Sequence, residues 1–250
     1  MTAAASDNIG VTKVELLLDG AVFATATAAP WSFPWDTKTA ANRAHTLRTK
    51  AYDAAGNYGY STTLTITVDN GIGMAAFDPA LQAPRCAVGY DGCDTGTLVN
   101  GRAGLGPEPN APNTLGDSCG DGGSGAYHSQ SSIDRLRVFT ADGTPLADDK
   151  TVVVEATVWN FSNLLEQDVL DFYYTTSPSS PSWAYIGSVT PGSPQGIRVV
   201  STSFSLPPGT SIAVRANMRR KPLGGANTPS PCTAGQYNDH DDLVFTVGDP

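Results

Sequence analysis

Apolar and polar residues alternate with a period of two in two regions of this chain, one before residue 70 and one after residue 130. In 12–18, Val14, Leu16 and Leu18 fall on one side. Asp19-Gly20 follows, a strong two-residue hairpin signal, and 21–27 returns with Val22, Ala24 and Ala26 aligned. In 45–53, Leu47, Thr49 and Ala51 oppose Arg48 and Lys50, and in 61–69, Leu64, Ile66 and Val68 share a face. A period of two is the strand period, and a polar opposite face predicts an antiparallel sheet with one wet side. The pattern resumes after residue 130 in seven segments: 133–139, 151–159, 169–175, 183–189, 197–206, 211–218 and 242–247. Val152, Val154, Ala156 and Val158 make one apolar face, Leu170, Phe172 and Tyr174 another, and Ile212, Val214, Ala216 and Met218 a third. No convincing run follows the helical period. Seven strands at this spacing predict a sandwich of jelly-roll type.

Between these two regions, about 74–130, Gly, Pro, Asp, Asn and Ser dominate. A loop of that length inside a compact domain is normally functional or pinned. The turn-rich junction Asp69-Asn70-Gly71-Ile72-Gly73 divides the chain into 1–70 and 71–250. The first part carries five basic and six acidic residues, the second ten and eighteen. All four cysteines lie in the second part, with no CxxC pair, which speaks against a zinc ribbon and for disulfides in an oxidising compartment. Cys86 and Cys93 flank a short Gly-containing segment, so 86–93 is the simplest bridge. Cys119 then pairs with Cys232, one of three pairings that four cysteines allow.

Within 3–69, the segment Ser6-Asp7-Asn8-Ile9-Gly10-Val11-Thr12-Lys13-Val14-Glu15 is followed by Leu18-Asp19-Gly20, Pro30-Trp31-Ser32-Phe33, Trp35-Asp36, His45-Thr46-Leu47 and Ala51-Tyr52-Asp53-Ala54-Ala55-Gly56-Asn57. This resembles the bacterial Ig-like repeats that decorate secreted hydrolases. The resemblance implies a spacer or adhesion-type module. Such repeats begin with a further strand and a half, so the first domain is expected to be N-terminally incomplete, with an open sheet edge that a neighbouring chain, the second module or a longer chain covers. Asp7-Asn8 and Asp53 with Asn57 read as turn chemistry, with a calcium site the alternative. Trp31 and Trp35 read as packing residues. In the second part, Phe77-Asp78-Pro79, Ala83-Pro84-Arg85-Cys86, Cys119-Gly120-Asp121-Gly122, Ser132-Ile133-Asp134-Arg135-Leu136-Arg137-Val138 and His240-Asp241-Asp242-Leu243-Val244-Phe245 resemble C-terminal modules of secreted hydrolases from predatory gliding bacteria. The fold class expected is therefore all-β: an Ig-like β-sandwich, then a larger jelly-roll-type β-sandwich with long disulfide-pinned loops.

Composition narrows the function. The net charge of −9 argues against a nucleic-acid partner or an anionic lipid surface. No stretch is long and apolar enough to span a membrane. No signal peptide opens this numbering; a secreted protein whose leader is missing here is expected. Twenty of the 24 acids are Asp, the residue of turns and of hard-cation sites. Asp239, Asp241 and Asp242 crowd together just before the last strand, with Asp117, Asp121 and Asp134 forming a second cluster and Asp91 and Asp94 a third. Clustered carboxylates need a cation or basic partners. Calcium, held by Asp239, Asp241 or Asp242 with Asp121 or Asp134, is the expected ion.

Trp159, Asp171, Tyr173, Trp183 and Tyr185, with Asn160 and Asn163 nearby, are the candidate polysaccharide platform, because aromatic faces stack on pyranose rings and polar neighbours bind hydroxyls. His128 and His240 lie in the two acidic loops, and a metal-dependent hydrolase using them is a further alternative. No HExxH, GxSxG or EF-hand loop is present. The expectation is a non-catalytic accessory module of a secreted protein, calcium-stabilised and binding polysaccharide or cell-surface glycan beside a catalytic domain of a longer parent chain. Protein docking is the runner-up.

Overall fold

The computed structural model describes residues 1–40, 43–86, 91–161 and 166–248. It forms two compact units, Met1–Asn70 and Gly71–Pro250.

In the first unit, β1 (Thr2–Ala3) pairs with β4 (Trp31–Ser32), and the Met1 amino group donates to the Phe33 carbonyl at 2.9 Å. A second sheet takes β2 (Lys13–Leu18), β3 (Ala21–Ala26), β5 (Ala44–Tyr52), β6 (Tyr58–Tyr60) and β7 (Leu64–Thr67). Its order is β3-β2-β5-β6, and β7 also pairs with β5. The β2–β3 turn has positive φ at both Asp19 (51°) and Gly20 (84°), the signature of a type I′ hairpin. Asp19 then anchors the turn to β5. Its Oδ1 accepts the Thr46 N–H at 2.8 Å and its Oδ2 meets His45 Nδ1 at 2.7 Å. These bonds, led by the Thr46 N–H, hold the Asp19 carboxyl down at about 2.

The alternation seen in the sequence buries Val14, Leu16 and Leu47 with Trp31 and Phe33, while Trp35 packs against that core. Asp7 and Asp53 make Asx turns: Asp7 Oδ1 accepts the Ile9 and Gly10 N–H groups, and Asp53 Oδ1 accepts the Asn57 N–H.

The second unit is a two-sheet sandwich. One sheet runs β16 (Gly196–Ser205), β13 (Thr151–Asn160), β12 (Ser132–Thr140), β11 (Gly92–Asp94), β8 (Ile72–Met74). The other runs β15 (Ala184–Val189), β14 (Glu166–Thr175), β17 (Ser211–Pro222), β18 (Asp239–Thr246), β10 (Ala83–Arg85), β9 (Ala76–Asp78). Val152, Val154, Ala156, Val158, Leu170, Phe172, Ile212, Val214 and Met218 all enter the core between them.

The all-β sandwich is as the sequence predicts, but its wiring corrects the jelly-roll expectation. The hairpins β12–β13, β14–β15 and β17–β18 each stay within one sheet, and from β12 onward the chain crosses between sheets at β13–β14, β15–β16 and β16–β17. Of the seven main strands, three lie in one sheet and four in the other, an Ig-type order rather than two Greek keys of a jelly roll. The irregular lead-in is also more ordered than expected. β8 and β11 extend one sheet, and β9 and β10 the other, through the parallel pairs β8–β11 and β10–β18. Cys86 bonds Cys93 and Cys119 bonds Cys232, the pairing the spacing favours.

Candidate functional site

Alternation along β17 sends Ile212, Val214, Ala216 and Met218 into the core and Arg215, Asn217 and Arg219 to the other side of the sheet. That other side is not wet. Residues 115–118 and 227–233 bond or pack over it, and Arg215, Asn217 and Arg219 are all buried there. Each finds a partner, as buried polar groups must. Arg215 grips Asp242 with two bonds of 2.7 Å, and its guanidinium lies 4.4 Å from the Trp183 ring. Arg219 grips Asp171 at 2.6 and 3.1 Å. The Asn217 amide donates to the Ser230 carbonyl at 2.6 Å.

Three devices fasten the cover. The Cys119–Cys232 bridge ties its two segments together. The buried Arg102 donates to the Ser124 carbonyl at 2.6 Å and the Gln236 carbonyl at 2.8 Å. Gly122 sits so close to the 235–236 backbone that a Cβ would lie 2.3 Å from the Gly235 oxygen, so no side chain fits there.

The core-facing side of β18 holds the more unusual group. Leu243 and Phe245 join the apolar core, and on the same alternation Asp241 and Asp239 precede them. Asp239 is fully buried; its Oδ2 accepts the Ile133 N–H at 2.5 Å and its Oδ1 has no donor. Asp241 is 1% exposed and neither of its oxygens has a donor. Glu108 and Asn113 approach from the covering segment. The Asn113 amide donates to Glu108 Oε1 at 2.6 Å, leaving Glu108 Oε2 and Asn113 Oδ1 buried without donors. Asp121 closes the group, accepting the His240 N–H at 3.0 Å on Oδ1 and the Ala103 N–H at 3.3 Å on Oδ2. Burial, then repulsion from Asp121 and Glu108, pushes Asp239 well above the carboxylate range, and burial with its four acidic neighbours does the same to Asp241. Burial raises Glu108 to about 7.

Of the expected metal residues, the structure thus gathers Asp121, Asp239 and Asp241. It sets Asp134 and Asp242 elsewhere. Asp242 points to the opposite side of β18, where Arg215 neutralises it. A β-bulge between Ile133 and Arg135 turns Asp134 away, toward His128 Nε2 at 2.9 Å. The acids stand around a common region without closing on it. Among the described residues, the one trio of His, Cys, Asp or Glu ligand atoms within 4.8 Å of one another is Cys119, Cys232 and His240, whose sulfurs are bonded to each other.

The histidine pair expected for a hydrolase is not assembled. His128 is stacked between Tyr127 (3.8 Å) and Trp159 (4.4 Å), whereas His240 is buried and its Nε2 accepts the Thr233 N–H.

The platform expectation needs a larger correction. Asp171 and Tyr173 lie on the outer side of β14 as alternation requires, yet both are buried beneath the cover. Trp183 is half-buried under Arg215 and Trp159 sits in the other sheet, leaving Tyr185 as the exposed member. Asn163 lies outside the described residues, and Asn160 is buried, donating to the Gly192 carbonyl. An open cleft of about 410 Å³ does exist beside Trp159, lined by Asn100, Tyr127, His128, Asp134, Arg135 and Ile197 among others. Asp94, from the third acidic cluster, is taken up by Arg135 and Arg137.

Sequence reasoning missed Glu108, Asn113 and Arg102. Glu108 carried a signal: it is one of only four glutamates and stands alone in a Gly- and Pro-rich stretch.

Comparison with known proteins assigns part of the chain. Residues 1–48 match the bacterial Ig domain family, overlapping the first two thirds of the 3–69 resemblance, and the remainder is unassigned. A solved structure of fibronectin(III)-like modules of Clostridium thermocellum CbhA aligns with 99% of this chain and 84% of that one, at 11% identity and a TM-score of 0.26. A superposition that loose carries no argument. No curated protein matches. Two disulfides together with an Ig domain fit an extracellular or cell-surface protein. No helix among the described residues is long and apolar enough to cross a membrane.

Proposed function

We propose that this chain is a non-catalytic accessory segment of a secreted protein, calcium-stabilised, that holds a parent catalytic domain against polysaccharide or cell-surface glycan. The observation that carries the reading is Asp239 and Asp241, side by side inside a disulfide-pinned sandwich with three oxygens lacking donors. Buried carboxylates must be neutralised by a proton or by a cation, and a proton alone still leaves these oxygens without partners, whereas a cation takes them up. In the docking part of the reading, the cleft beside Trp159 offers the exposed Tyr127 ring together with Asn100, Thr157 and Arg135 as hydroxyl partners. His128, clamped between two rings and bonded to Asp134, serves there as a wall rather than as an acid or base.

Protein docking is the second reading, favoured by Ile197 (56% exposed) and Val199 (61%) on the sheet-edge strand β16. Elemental analysis of the purified chain, melting with and without a chelator, and pull-down on insoluble polysaccharides test the proposal. Bound calcium, a chelator-lowered melting temperature and retention on polysaccharide are expected. Retention on protein but on no glycan would move the function to the second reading, and a melt unmoved by chelator would remove calcium from it.

A further inference from the structure

Five oxygen atoms from Glu108, Asn113, Asp239 and Asp241 are buried without a hydrogen-bond donor. All of them belong to the region where the covering segment meets the inner side of β18. The repulsions felt there link the carboxylates: Asp241 feels Asp239, Glu108, Asp121 and Asp242, and Asp239 feels Asp121 and Glu108. One buried guanidinium, Arg102, faces the group, and its hydrogen bonds go to the Ser124 and Gln236 carbonyls instead. The His240 ring Nδ1 stands 3.6 Å from Asp121 Oδ1, but Glu108, Asp239 and Asp241 have no basic side chain bonded to them. The neighbouring acids show what balance looks like: Asp242 has a bidentate arginine, and Asp134 has His128 and Ser132.

The unpartnered atoms are carboxylate and carboxamide oxygens, without a free sulfur, which selects a hard cation. Magnesium keeps several waters and demands a tight octahedron; a dry, irregular cage of protein oxygens suits calcium. Opposite ligands of a calcium ion stand about 5 Å apart and the others closer; among the described residues Glu108, Asp239 and Asp241 offer no trio of oxygens within 4.8 Å of one another, so binding requires the ion to draw these carboxylates inward.

We propose that Glu108, Asn113, Asp239 and Asp241 ligate one calcium ion, and that this ion fastens the 95–125 segment to the last strand. Asp121 supports the cage from outside by holding the His240 and Ala103 main-chain N–H groups. The inference rests on the calcium reading above and departs from it in the ligand set. Glu108 and Asn113 enter; Asp134 and Asp242 leave, and Asp121 passes from ligand to outer support.

The test is a calcium titration of the full chain, followed by melting and by limited proteolysis. It compares the unsubstituted protein with Glu108→Gln, Asn113→Ala and Asp134→Asn. In the unsubstituted chain, calcium raises the melting temperature and protects the 95–125 segment from cleavage. Glu108→Gln and Asn113→Ala weaken calcium binding on the order of tenfold or more, and Asp134→Asn leaves it unchanged. Glu108→Gln removes one of the crowded charges, so in chelator it melts at or above the unsubstituted chain, while in calcium it melts below. A merely structural glutamate would lower both melts alike, and that outcome would overturn the cage. Calcium binding that ignores both ligand substitutions would sink this ligand set and leave the calcium reading standing. No calcium binding to the unsubstituted chain would end both.

Discussion

Strands β5 and β17 invite direct comparison. Each is central in its sheet, and each sends basic residues to the side away from the core: Arg48 and Lys50 on β5, Arg215 and Arg219 on β17. On β5 those residues stay at the surface. Arg48 lies over the Tyr60 ring at 4.0 Å and Lys50 over the Tyr58 ring at 3.8 Å, with both tyrosines exposed. On β17 the same alternation ends in buried ion pairs, because two long segments fold back over the sheet. Strand period decides which face a side chain takes. Whether that face meets water is decided by chain far away in sequence.

The largest expected effect removes the cover. Replacing Cys119 and Cys232 by Ser opens a link across 113 residues, for a loss of about 4.7 kcal/mol in the chain-entropy view. Calorimetry should show the second unit's transition fall while the first unit's stays. Arg215→Ala comes next. It strands Asp242 as a buried unpaired charge, for about 4 kcal/mol by denaturant unfolding. Lys50→Ala, its surface counterpart, should leave the unfolding midpoint unchanged.

A smaller effect is read by pH. Burial raises Asp168 to about 6 despite bonds from Ser131 and the Phe161 N–H. The folded protein therefore holds that proton more tightly than the unfolded chain does. The Asp168 contribution is complete below about pH 4 and is lost as pH rises through about 6, by at most about 3 kcal/mol. Asp168→Asn should flatten that part of the stability–pH curve. An unchanged slope would show that Arg220 already keeps Asp168 ionised.

Much of this fold was legible because local alternation is a local property. Val152, Val154, Leu170, Phe172, Ile212 and Val214 declare their face from neighbours two residues away, and the Asp19-Gly20 turn declares itself from two positions. Alternation puts Tyr173 and Asp171 on the side opposite Phe172, but nothing nearby in sequence announces the cover that buries them. A subtler sign was present: Arg215, Arg219, Asp171 and Asp242 occupy facing outer positions on three adjacent strands, a complementarity that exposed faces rarely need.

The acidic site was half legible for a related reason. His240 and its acidic neighbours look like a loop, yet β18 already begins at Asp239, paired with Met218. Placing them on a strand splits them, so that Asp239 and Asp241 face one way and Asp242 the other. Glu108 and Asn113 join only through the tertiary path of a segment with no period at all.

The spacing of the two disulfides also sets an order of events while the polypeptide is being made. Cys86 and Cys93 leave the ribosome almost together, seven positions apart, whereas Cys119 waits for a partner 113 positions behind it. At usual synthesis speeds that wait is roughly 6–23 seconds. If the short link closes early, it withdraws the two thiols that could capture Cys119 wrongly, and when Cys232 finally emerges only one match remains. Delaying that first closure, for example by starting synthesis in reductant and oxidising afterwards, should scramble the product.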